Sequence, residues 1–152
     1  MRIKALLLAC MIGFAFSCTY VEDDPSNPDL IIRTGTICGW GVVNDTLTIT
    51  GDYSVRYVNY TRASAGNPLV EKKAELSPSE LETLMALLDV DELKKLELNS
   101  CNVCFDGCDD WISFNDGTAS HYIRFTKDDP KLQPIKAFVD QLNVIKAKYS
   151  AN

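Results

Sequence analysis

Trp111-Ile112-Ser113-Phe114-Asn115-Asp116-Gly117-Thr118-Ala119-Ser120-His121-Tyr122-Ile123-Arg124-Phe125 alternates apolar and polar residues on both sides of an Asp-Gly pair. Such alternation marks a half-buried strand, and Asp-Gly between two such runs is the strongest short hairpin signal. A two-residue loop pairs Phe114 with Ala119 and Ile112 with His121, and Ile123 and Phe125 extend the same buried face. His121, the single histidine, then sits on the apolar side, which leaves nucleophilic triads and histidine-based metal sites short of parts.

A second hairpin lies upstream. Leu47 and Ile49 share the parity of Val55 and Tyr57, so a two-residue loop at Gly51-Asp52 mixes faces, whereas a three-residue loop pairs like with like. Leu30 to Ile37 and Leu69 to Leu76 read as further strands, with a turn at Ala63 to Asn67. Ser77-Pro78-Ser79-Glu80 is a capping box with proline at the first helical position, and Leu81, Leu84, Met85 and Leu88 continue it as one apolar stripe. A short helical segment follows to about Leu96, and a last helix, starting near Gln133, carries Ile135, Phe138, Val139, Leu142, Ile145 and Tyr149 inward. Hairpins without βαβ alternation imply an α+β domain, an antiparallel sheet of about five to six strands with helices packed on one face.

The chain has 152 residues, 46% hydrophobic and 24% charged, a balance for one globular domain. Residues 1–17 hold Arg2 and Lys4 and no acid, so from Cys18 onward 13 basic side chains face 21 acidic ones, a net charge of −8. The longest basic runs, Lys72-Lys73 and Lys94-Lys95, argue against nucleic acid as a partner.

Residues 1–17 have the layout of a signal peptide, because Ala5–Phe16 is an uncharged run of twelve. A transmembrane helix needs about 20. Ala15-Phe16-Ser17-Cys18 resembles a bacterial lipobox, which implies that Cys18 is lipidated and becomes the mature N-terminus. Glu22-Asp23-Asp24 is similar to the export signal of Bacteroidetes-type surface lipoproteins. These resemblances imply an outer-membrane lipoprotein, exposed at the cell surface and held by acyl chains on Cys18. Residues 18–29, polar and carrying Pro25 and Pro28, read as a flexible acidic tether, and 30–152 as the domain. Arg33-Thr34-Gly35-Thr36-Ile37-Cys38-Gly39, the Leu47-Thr48-Ile49-Thr50-Gly51-Asp52 hairpin and the Ser77-Pro78-Ser79-Glu80 helix together resemble a family of small extracytoplasmic bacterial domains of unknown function. That resemblance implies fold and compartment and carries over no catalytic residue.

Cys10 leaves with the signal and Cys18 takes the lipid, leaving Cys38, Cys101, Cys104 and Cys108. Four cysteines admit two disulfides in three connectivities, the ordinary use outside the cytoplasm. The alternative is zinc held by the same four as thiolates. A thioredoxin-like role wants Cys-x-x-Cys at a strand-to-helix junction, and this one precedes a hairpin. Asp106, Asp109 and Asp110 read as a solvated acidic loop, and a small hydrolase built on them is a third reading. With Val55 and Tyr57 on the core, Arg56, Val58, Tyr60 and Arg62 line the other face as an aromatic and cationic strip. Trp40, between two glycines, is either a contact residue or a plug at the core edge. The reading is a non-enzymatic binding or interaction module at the cell envelope, with a protein or glycan partner, no catalytic residue and no cofactor.

Overall fold

The computed structural model describes residues 27–41, 43–60 and 70–151. The signal segment, Cys18, Glu22-Asp23-Asp24, Arg62 and the turn expected at Ala63 to Asn67 lie outside the described residues. Strands β1 (Ile31–Cys38), β2 (Asp45–Thr50), β3 (Ser54–Asn59) and β4 (Val70–Glu75) precede helices α1 (Pro78–Ala86) and α2 (Val90–Lys95). Strands β5 (Cys108–Asn115) and β6 (Ser120–Phe125) and helix α3 (Lys136–Ser150) complete the order. One six-stranded sheet runs β4-β3-β2-β1-β5-β6, and each pairing is antiparallel. The α+β class expected from the hairpins is the class observed.

Parity decided the first hairpin correctly. Ile49 pairs with Val55 and Leu47 with Tyr57 around the loop Gly51–Tyr53, which closes with Tyr53 at φ 65°. The Asp116-Gly117 hairpin corrects the expected register: Phe114 pairs with His121 and Ile112 with Ile123, so the loop is the four residues Asp116–Ala119. Asp116 draws the loop together, its Oδ1 accepting from the amides of Thr118 at 2.9 Å and Ala119 at 2.6 Å, while Gly117 takes φ 86°. The shift of partners leaves the buried face unchanged, because every residue moves by an even number of positions along the ladder.

Helix α1 begins as its capping box dictates. Ser77 Oγ accepts from the Glu80 amide and the Glu80 carboxylate accepts from the Ser77 amide, with Pro78 in the first turn. Asp89 caps α2 in the same way, accepting from the Glu92 amide at 2.9 Å. The start of α3 differs from expectation. Pro130–Ile135 forms a 3-10 segment containing Pro134, and the regular helix begins at Lys136 rather than near Gln133. The tighter turns bond Leu132 to Asp129 and Lys136 to Gln133, accommodating a proline that has no amide to donate.

Leu81, Leu84, Leu93, Phe138, Leu142 and Ile145 from the helices join Ile32, Leu47, Ile49, Val55, Ile112, Phe114 and Ile123 from one face of the sheet in a single buried cluster. The other face carries no α-helix among the described residues. Within those residues no helix is long and apolar enough to cross a membrane.

Candidate interaction surface

Strand β1 is central and β5 is its neighbour, so Cys38 falls opposite Cys108 and the two form a disulfide across the ladder. Cys101, which precedes the 3-10 turn Asn102–Phe105, forms a second disulfide with Cys104 inside it. Buried Asp109 fastens that turn, accepting from Ser100 Oγ at 2.6 Å and the Val103 amide at 3.0 Å. Burial pushes its pKa up, but these hydrogen bonds and the Arg124 charge outweigh it and hold the carboxyl below its ordinary value. The turn Gly39–Gly41 docks on the same loop, with the Gly39 amide donating to the Gly107 carbonyl at 2.9 Å. A side chain at residue 39 has no room there, since its Cβ would stand 2.7 Å from Asp106 Cα. Two disulfides thus fix one end of the sheet, and two neighbouring turns there present Trp40, 72% exposed, and Phe105, 87% exposed. Trp40 is a surface residue and not a plug.

The helix-free face continues from this end. Trp111 lies over Gly35, where an added Cβ would approach the indole to 2.9 Å, and stacks with Tyr122 at a centroid distance of 6.1 Å. Tyr122 is 54% exposed and Arg33 is exposed. Arg124 Nη2 donates to Asn99 Oδ1 at 3.1 Å. Arg56 on β3 and Tyr60 just past its end are exposed as expected, while Val58, flanked in register by Thr46 and Glu71, is buried and interrupts the strip. Arg56 Nε donates to Glu71 at 2.9 Å, which lowers the Glu71 pKa and raises that of Arg56. Thr48, Thr50, Ser54, Arg56, Lys73 and Glu75 border a shallow depression of about 700 Å³.

On the helical side, Lys146 from α3 reaches Thr36 Oγ1 at 2.8 Å and Asp45 at 3.4 Å. Asp45 also accepts from the Thr36 amide at 2.8 Å and Tyr57 Oη at 3.3 Å. Burial, and then Asp45, raise the Tyr57 pKa. Every member of this group is satisfied by the others, and the group pins α3 to β1 and β2. A ring nitrogen of half-buried His121 lies 2.9 Å from the Leu96 carbonyl, a structural contact to the end of α2. Of the three loop aspartates, Asp109 is a fastener, Asp110 accepts from Thr36 Oγ1, and Asp106 takes the left-handed φ of 63° that ends the turn. Among the described residues no three His, Cys, Asp or Glu side chains converge as a metal site.

The structure therefore brings Trp40 to the cysteine loop and leaves Arg56 and Tyr60 toward the far edge of the sheet. Sequence reasoning passed over Phe105, Trp111, Tyr122 and Arg33. A signal for Trp111 and Tyr122 was present, because naming Ile112, Phe114, Ile123 and Phe125 as buried already turns their neighbours outward. No protein-family model matches the chain, and none of the curated proteins matches it.

Proposed function

We propose that this chain is a lipid-anchored, non-enzymatic binding module of the outer membrane, exposed at the cell surface and engaging an extended partner. The anchor is the acylated Cys18, and Glu22-Asp23-Asp24 directs export. The observation that carries the binding reading is a sheet face that, among the described residues, carries no helix and bears stacked aromatics and arginines in an otherwise acidic chain. The disulfide-tied turns that present Trp40 and Phe105 support the same reading, since large exposed aromatics are frequent anchors of binding surfaces.

The test has two arms. Cells fed an alkyne-bearing fatty acid label the wild-type chain and leave Cys18→Ala unlabelled. Envelopes from cells lacking the protein retain the purified full chain, and combined Arg56→Gln and Tyr60→Ser substitution weakens retention by about tenfold or more. Labelling of Cys18→Ala contradicts the anchor, and equal retention of the variant contradicts the use of this face.

A further inference from the structure

The register aligns Tyr122, Ser113, Arg33, Thr48, Arg56 and Lys73 as one row across all six strands of the open face. Neighbouring strands stand about 4.8 Å apart, so Arg33 and Arg56, two strands apart, are separated by about 10 Å along that row. The row begins at the Trp111–Tyr122 stack and ends in the depression beside Thr48, Arg56 and Lys73. No carboxylate among the described residues pairs with Arg33.

Cations gather on this face of an acidic chain. Arg33, Arg56, Lys73 and Arg124 point to it; Glu71 pairs with Arg56 and Lys73, Glu75 lies beside them and Asp52 bonds Thr50 at the hairpin end, so Arg33 is the central cation that no described carboxylate pairs with. We propose that the open face binds an acidic polysaccharide laid across the strands, its sugar rings on Trp111 and Tyr122 and its carboxylates on Arg33 and Arg56. This rests on the binding reading above and names its ligand class. The flat faces of pyranose rings carry C–H groups that suit aromatic planes, and their hydroxyl rims suit Thr48, Thr50, Ser54 and Ser113. Carboxylates spaced along a linear chain meet arginines spaced along a row through charge-assisted hydrogen bonds. An acidic peptide fits less well, since extended peptides add to a sheet edge and use pockets for alternate side chains. Nucleic acid, with its far denser charge, is disfavoured in a chain of net charge −6.

Polygalacturonate is the probe, with its methyl-esterified form as the same chain without charge and polyglutamate as the same charge without rings. The full chain in detergent is run through gels containing each polymer. Polygalacturonate slows the wild-type chain, the effect falls with esterification and with salt, and neither control polymer reproduces it. Arg33→Gln and Tyr122→Ala, both at exposed positions, each weaken the apparent affinity by about tenfold. Their unfolding curves in urea match the wild type, so the loss is not one of folding. Equal slowing by polyglutamate, or wild-type affinity in both variants, overturns the proposal. Envelope retention without any slowing by polygalacturonate overturns the ligand class alone, whereas loss of both overturns the binding reading with it.

Discussion

Ser77 and Glu80 close the first turn of α1 on each other, and Lys148 from α3 adds an ion pair to Glu80 at 2.9 Å. The Ser77 amide first, then Lys148, lower the Glu80 pKa from 4.5 to about 2. A carboxyl whose pKa is lower in the folded state favours folding above its unfolded pKa, and the contribution disappears as pH falls through the folded one. Stability should therefore drop between pH 4.5 and about 2 in part through Glu80. Glu80→Gln flattens the dependence of melting temperature on pH in that window, and Ser77→Ala costs about 1 kcal/mol at neutral pH. A variant that keeps the wild-type acid slope shows that other carboxylates carry it.

At the scale of elements, the two disulfides differ in what they constrain. Cys38–Cys108 closes a separation of 70 residues and Cys101–Cys104 one of 3. Loop-closure entropy assigns about 4 kcal/mol to the first and about 2 kcal/mol to the second. Urea unfolding of the Cys38→Ala/Cys108→Ala pair should show the larger loss, and an equal or reversed order contradicts the assignment. The two hairpins show what the sequence could and could not reveal. Around Gly51–Tyr53 the alternatives put different faces together, so parity chose. Around Asp116 they put the same faces together, and only the side-chain hydrogen bonds of Asp116 separate them. The start of α3 shifted for a similar reason, since apolar spacing alone did not register the 3-10 segment that Pro134 occupies.

For the whole molecule, the fold class was the legible level, because alternation and caps are local. The candidate surface was less legible because it depends on strand order. Pairing of β1 with β5 joins segments about seventy residues apart, and only that pairing sets Arg33 beside Ser113 and places Trp111 over Gly35. The same pairing puts Cys38 opposite Cys108, turning one of three allowed connectivities into the one observed. Among the described residues, helices cover one face of the sheet, where the core sits, and the other face carries none.

The binding reading is tested most directly by hydroxyl-radical footprinting of the full chain on living cells, compared with the purified full chain in detergent. Trp40, Tyr60, Phe105 and Tyr122 should be oxidised less on cells, while Val144, 63% exposed on the helical side, is oxidised equally in both. Equal oxidation of the four aromatics in both preparations, or protection of Val144 in their place, contradicts a partner on the open face.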